Sequence, residues 1–252
     1  MKISLFATAF AVAAMACAPA LAQELGEGSG YVGASVSQSE VDAFGFEDEI
    51  ETFGVHAAGY LPVRDDLGAQ LTVGYADADD ADGSLTGSAT LITNLDGGRI
   101  AGFVGAAEVV DEWLMAYGLQ GDLHLANATL TGGATFATVD EFDTDFWLVS
   151  AGGRYFFSDR LRLDGGLGYL SGDFGGAEAE GWTGGLGGEV QFEGPVSIFG
   201  GLNRTDVEDF DLTVDTVSLG VRYNFGGGTL RDRDRTGAAF GGISDLARIA
   251  SF

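Results

Sequence analysis

One cysteine, one lysine, two histidines and three prolines are all that this 252-residue chain carries of those four residue types. The lone cysteine, Cys17, lies in a leader-like segment, so no disulfide framework is available to the rest of the chain. The scarcity of lysine leaves eleven arginines against 38 acids once Lys2 is set aside, a net charge near −27. So acidic a chain repels nucleic-acid backbones, and no nucleic-acid partner is expected. Proline is too rare, and Gly-x-y periodicity absent, for a collagen-like fibre. After the leader no apolar run reaches the roughly 18 residues of a membrane helix. If the chain enters a bilayer it must do so as a closed sheet.

The leader itself has Lys2, an apolar run from Ile3 to Met15 too short to span, and the small-residue site Ala20-Leu21-Ala22. This reads as a cleaved signal peptide over 1–22, with the mature chain starting at Gln23. A lipoprotein box at Ala14–Cys17 lacks its usual leucine. Apolar and aromatic content is too high for disorder. Forty-two glycines spread through alternating segments suit curved, closely approaching strands.

Twelve segments of about 9–13 residues alternate in character. In Trp113–Leu125 one face reads Trp113, Met115, Tyr117, Leu119, Leu123 and Leu125, and the other Leu114, Ala116, Gln120, Asp122 and His124. Trp147–Phe157, Trp182–Phe192 and Val214–Phe225 repeat the pattern, and Leu67–Tyr75 and Leu161–Tyr169 continue it. The remaining strands are placed near Gly30–Val36, Thr52–Leu61, Leu85–Thr93, Arg99–Ala107, Ala128–Thr138 and Val196–Asn203. Aromatics fall at the ends of the apolar faces, as in the girdles of membrane barrels, and the segment length suits a tilted crossing. The pattern therefore predicts an all-β, closed antiparallel up-and-down transmembrane barrel of about twelve strands over 23–225, ten or fourteen also being compatible, followed by a tail over 226–252.

The charge is sorted. Six connections expected to be long, Gln38–Glu51, Asp77–Asp82, Glu108–Glu112, Asp140–Asp145, Asp173–Glu180 and Arg204–Asp211, hold 24 of the 38 acids and one basic residue, Arg204. The five turns between them, Pro62–Asp66, Asn94–Gly98, Ala126–Asn127, Ser158–Arg160 and Glu193–Pro195, hold five acids and two arginines. With an even strand number both termini fall on the periplasmic side, so the acidic connections all fall outside.

The signal peptide, the strand-and-girdle pattern across Gly30–Phe225 and the ending Gly220-Val221-Arg222-Tyr223-Asn224-Phe225 resemble the porin-like outer-membrane β-barrels of Gram-negative bacteria. The resemblance implies a cell outer membrane location among lipid and lipopolysaccharide. It also implies recognition by the barrel-assembly machinery, with Tyr223 and Phe225 as the assembly signal. That signal usually closes the chain, whereas here 27 residues follow it.

Candidate sites are few. Asp77, Asp79, Asp80 and Asp82, with Asp140, Glu141, Asp206, Glu208 and Asp209, form an acidic rim expected to draw cations towards the mouth. Asp77, Asp79 and Asp82 suggest weak divalent-cation binding, with bridging to lipopolysaccharide phosphates, but miss the spacing of a calcium loop; a solvated hairpin tip is the alternative. The Gln38–Glu51 connection carries Phe44, Phe46 and Ile50 and either folds over the mouth or stands as a surface loop. Lumen candidates are Arg99, Asp122, Arg154, Arg162, Asp164, Glu189 and Arg222, a sparse wall of mixed sign that is either an internal salt-bridged filling or the lining of a narrow water path. His56 and His124 face the lumen without a Gly-x-Ser-x-Gly elbow or a His-Glu-x-x-His helix, so no enzyme is expected and no cofactor. The tail, with Arg231, Arg233 and Arg235 alternating with Asp232 and Asp234 and a potential amphipathic helix over Ser244–Phe252, is a flexible periplasmic tail, a lumen plug or a cell-wall contact. The expected function is a monomeric passive channel with weak cation preference, or else a structural or adhesive barrel with a filled lumen.

Overall fold

The computed structural model describes residues 28–79, 83–109, 112–139, 144–174, 177–241 and 243. The expected signal peptide over 1–22, the rim acids Asp80, Asp82, Asp140 and Glu141, and the tail from Ser244 onward lie outside the described residues. The strands are β1 (Ser29–Ala43), β2 (Phe46–Pro62), β3 (Leu67–Ala78), β4 (Ser84–Leu95), β5 (Gly98–Val109) and β6 (Glu112–His124). They continue as β7 (Ala128–Val139), β8 (Thr144–Ser158), β9 (Leu161–Phe174), β10 (Ala177–Gln191), β11 (Val196–Val207) and β12 (Leu212–Phe225). Each pairs antiparallel with its sequence neighbours, and β1 pairs with β12, closing the barrel. The expected count of twelve holds.

The period-two pattern decides which way each side chain points. Leu119, Leu167 and Leu186 are 66%, 69% and 71% exposed on the outer surface, whereas Gln70, Arg99, Thr129 and Glu189 point inward and are at most 2% exposed. Leu71, Leu91, Val104, Val149, Leu202 and Leu219 extend the outer apolar band around the wall, with Trp113, Tyr117, Trp147, Tyr155, Phe157, Trp182 and Phe192 on the same face. An apolar surface this continuous is stable only against lipid.

The strands are longer than the sequence pattern suggested, 12–17 residues, so all six acidic connections are shorter than expected, three of them markedly. Gln38–Glu51 is not a loop: β1 and β2 stay paired up to Ala43 opposite Phe46, and only Phe44 and Gly45 turn, at φ 55° and 78°. Instead of folding over the mouth, this hairpin stands up from it, with Phe44 and Phe46 71% and 79% exposed. Arg204–Val207 belongs to β11 and leaves a single 3-10 turn at Glu208–Phe210. Asp173–Phe174 and Ala177–Glu180 belong to β9 and β10. The reason is that a ladder needs only backbone partners; alternating acids kept in water do not interrupt it.

The inner wall also departs from the small, polar surface expected. Towards the long-hairpin end it becomes apolar, with Leu114, Phe146, Leu148, Leu170 and Val207 buried in one cluster. Towards the short-turn end it carries the charges.

Placing a cation in the outer band tests the lipid-facing assignment. Leu119→Arg should lower stability in lipid vesicles by about 2–4 kcal/mol in urea titrations. An unchanged midpoint would contradict the assignment of this face to lipid.

Candidate functional site

Beyond β12 the chain turns back into the barrel, and the local sequence explains how. Gly226, Gly227 and Gly228 all have positive φ, at 83°, 75° and 84°, a run that L side chains resist. Thr229 then caps a short helix, α1 (Leu230–Thr236), in a reciprocal capping box: its hydroxyl accepts from the Asp232 amide, and the Asp232 carboxylate accepts from the Thr229 amide at 2.8 Å. These hydrogen bonds from Thr229 hold the Asp232 carboxyl below its ordinary range.

The segment climbs the wall in register with β5. Arg99, near the start of β5, donates to the Asp234 carbonyl and, at 2.8 Å, to the Gly237 carbonyl. Ala101, further along, shares an apolar cluster with Ala238 and Phe240. Phe103, further still, clusters with Ile243. On the same side Gln70 on β3 donates to the Phe240 carbonyl at 2.5 Å, and across the barrel Gln191 on β10 accepts from Arg233 at 3.2 Å. The segment is thus tied to opposite sides of the inner wall.

The seven lumen candidates all point inward and fall into two groups. Arg99 and Asp122 are directly opposed in the ladder and pair at 3.0 Å; Arg154 reaches Asp122 at 3.6 Å and bonds Asp234 of the tail. Thr129 donates to the same Asp234 carboxylate at 2.6 Å. Burial alone would raise the Asp234 carboxyl, but the charge of Arg154 and the hydrogen bonds from Thr129 and Arg154 outweigh it, so Asp234 titrates below its ordinary range. In the second group Glu189 takes Arg222 at 2.8 Å and Arg162 at 3.1 Å, with Ser197 donating at 2.5 Å; Arg162 also meets Asp164 at 3.3 Å. Arg222 lies between the rings of Tyr31 and Phe199, 4.2 and 4.7 Å from their centroids. Burial lowers Arg233 to about 10 despite the nearby Glu189 charge, so it stays cationic at neutral pH.

At the short-turn mouth, Arg231 pairs with Asp159 at 3.1 Å and Arg235 donates to the Leu125 and Ala126 carbonyls at 2.6 and 3.1 Å. Arg231 and Arg235 therefore fasten to the turns, while Arg233 and the buried Asp234 fasten to the wall. Sequence reasoning singled out the wall charges but not Asp234, Thr129, Gln191 or Arg233 as their partners. The signal was present in Gly226–Gly228 followed by Thr229-x-x-Asp232.

The remaining candidates separate. His56 stacks edge-on against Tyr31 and Phe199 at 5.6 and 5.7 Å. The Nε2 of His124 is buried with no hydrogen-bond partner among the described residues. On the rim, Asp206 accepts from Thr213 at 3.3 Å and Asp209 from the Glu180 amide at 3.0 Å. Glu208 opens the 3-10 turn, and Asp77 and Asp79 end the β3 arm. Among the described residues no three acidic, histidine or cysteine side chains converge as a metal site. Tyr223 and Phe225 pack with Val32 and Ala57 at the closing seam.

No family profile matches the sequence, and no curated protein matches it. Solved structures do match in fold. The NanC porin aligns at 5% identity and TM-score 0.57, covering 75% of this chain and 98% of its own. The KdgM porin, in complex with disordered oligogalacturonate, aligns at 9% and 0.54, covering 77% and 99%. The translocator domain of the Neisseria meningitidis autotransporter NalP aligns at 14% and 0.53, covering 86% and 98%. The chain has the fold of the outer-membrane β-barrels.

Two outcomes test the tail contact. Asp234→Ala leaves Arg154 facing its site without that carboxylate and should weaken tail docking by about 3–5 kcal/mol, read as lost hydrogen-exchange protection in α1 with the strands unchanged. Because the Asp234 pKa is depressed, its contribution is complete above about pH 4 and is lost as the pH falls through the folded value. Protection of α1 should hold from pH 7 to 5 and fall below about pH 4; a loss on raising the pH from 5 to 8 contradicts the assignment.

Proposed function

We propose that the protein is a small outer-membrane channel of porin type, closed at its periplasmic mouth by its own C-terminal segment. The observation that carries this reading is the buried Asp234 carboxylate, held by Arg154 and Thr129 from the wall while Arg99 takes the adjacent carbonyl. A barrel that served only as a shell has no need of a chain end tied across its interior by hydrogen bonds to β3, β5, β7, β8 and β10. The apolar outer band and the likeness in fold to the porins support the membrane and channel parts. The signal-like leader and the sidedness of the acidic connections support export, with the long hairpins facing outward.

Selection belongs to the rim. With the segment in place, Arg99, Arg154, Arg162, Arg222 and Arg233 face Asp122, Asp164, Glu189 and Asp234, a nearly balanced interior. The excess negative charge stands on the outer strand extensions and turns. Their field concentrates cations before any wall residue acts, a preference that salt screens over roughly 8–10 Å at moderate ionic strength. The same carboxylates offer weak bridging through divalent cations to lipopolysaccharide phosphates, and the aromatic-ended β12 offers the assembly machinery its signal.

The second reading, a structural barrel whose interior is permanently filled, draws on the same salt-bridged network and on the apolar wall above it. Planar-bilayer recordings on the full chain and on a chain ending at Phe225 separate the two. The channel reading expects the shortened chain to conduct more than the full one, with a cation preference that fades at high salt. A shortened barrel that folds but does not conduct favours the filled barrel, and an anion preference overturns the rim assignment.

A further inference from the structure

The mouth of this barrel is not level. On one side β2 rises past its neighbour: its ladder with β3 ends at Thr52 opposite Ala78, with one further bond from the Asp79 amide to the Glu51 carbonyl. The β3–β4 ladder has by then already ended, at Ala76 opposite Ser84. On its other side β2 stays paired with β1 to Phe46, and β1 with β12 to Ala43 opposite Leu212. Among the described residues, Phe46–Ile50 is therefore an open strand edge about 17 Å long, at roughly 3.4 Å per residue. Such edges are templates for another strand, and proteins keep them single by loading them with charge.

Here the loading is all of one sign. Glu40 lies directly opposite Glu49, and Asp42 opposite Glu47, with Asp215 beyond Glu40 on β12. Like charges placed directly across a ladder destabilise it. Arg204 pairs at 3.3 Å with Asp215, and no basic residue lies between Gln38 and Glu51. Asp48 sits on the opposite face of the edge from Glu47 and Glu49, so both faces are acidic. At the tip Phe44 and Phe46 stand exposed.

We propose that this edge binds an extended, basic peptide segment of another macromolecule by strand addition. The Glu47 amide and the Glu47 and Glu49 carbonyls, which point away from β1, supply the ladder; the Glu49 amide donates to Asp48 Oδ1 at 2.9 Å. Glu47 and Glu49 meet basic side chains on one face and Asp48 meets them on the other, while Phe44 and Phe46 receive an apolar residue at the segment's end. Charge complementarity selects the partner: a basic strand relieves the Glu40–Glu49 and Asp42–Glu47 repulsions, whereas a neutral or acidic one does not. The proposal is independent of whether the lumen conducts.

The test uses the full chain in zwitterionic micelles and a fluorescent octapeptide alternating lysine and valine, read by anisotropy at moderate salt. A second octapeptide of the same sequence carries a methyl group on every backbone nitrogen, keeping the charge and removing the ladder donors. Strand addition expects the plain peptide to bind and the methylated one to bind at least roughly tenfold more weakly. The double variant Glu47→Lys, Glu49→Lys, shown to be folded by its heat-dependent gel mobility, should lose a comparable factor. Equal binding of the two peptides would reduce the edge to unspecific charge attraction and overturn the proposal, as would no binding of the plain peptide.

Discussion

Pairing of the first strand with the last is the constraint from which the rest of this structure follows. In lipid an unpaired edge leaves backbone amides and carbonyls without partners, so a sheet that crosses must close on itself. Here fourteen residue pairs, from Gly30 with Phe225 to Ala43 with Leu212, seal β1 against β12. Closure with an even strand number returns both ends of the barrel to one mouth. The chain that leaves Phe225 therefore emerges beside that mouth, and three left-handed glycines are enough to turn it inward. Had the last strand run the other way, the same 27 residues would lie among the acidic hairpins.

Once inside, the segment meets an environment that makes its charges expensive to bury and hard to release. Arg99 and Arg154 already share Asp122 on the wall, and one carboxylate does not balance two guanidiniums. Asp234 supplies the second, while the Asp234 and Gly237 carbonyls accept from the two Nη atoms of Arg99. Removing one partner of such a set leaves an uncompensated buried charge, so the network is stable as a whole and costly in part. The apolar residues then follow the polar ones upward: Phe240 lies under the Arg99 guanidinium, and Ile243 joins the apolar wall above. A closed mouth and a balanced interior are two aspects of one arrangement. In the proposed channel, selection is left to the outer rim, where the strands carry their acids into water.

Most of the barrel was legible in the sequence because a strand with one face in lipid must alternate. Trp113–Leu125 and Val214–Phe225 gave their outer faces without ambiguity, and the strand count and the inward direction of the wall charges came with them. The strand ends were harder to read. Beyond the lipid both faces are wet, alternation loses its meaning, and Gln38–Glu51 looks like a loop although it forms a continuous hairpin. The apolar inner wall was hidden for a related reason: Leu114, Phe146 and Leu148 face inward in segments whose outer faces are also apolar, so the contrast between faces fades. The tail's destination was the least legible. Its capping box and glycine run are local signals, but the partners of Asp234 lie on β7 and β8, more than 75 residues earlier, and nothing in the spacing marks them.

The most direct test of the central claim, that the chain's own end occupies the barrel, is a crosslink between its deepest described residue and the wall. A Cβ placed on Gly105 would lie 3.0 Å from that of Ile243, within reach of a disulfide once β4, whose Gly87 carbonyl and Ser88 Cβ it would meet at 2.9 Å, gives by a few tenths of an ångström. With Cys17 also replaced by serine, a Gly105→Cys, Ile243→Cys chain has no competing thiol. The account expects oxidation of the folded protein in membranes to join the two positions in high yield, read by mass spectrometry of the proteolysed barrel. A folded barrel in which both thiols stay free and react with a water-soluble reagent at equal rates would contradict it.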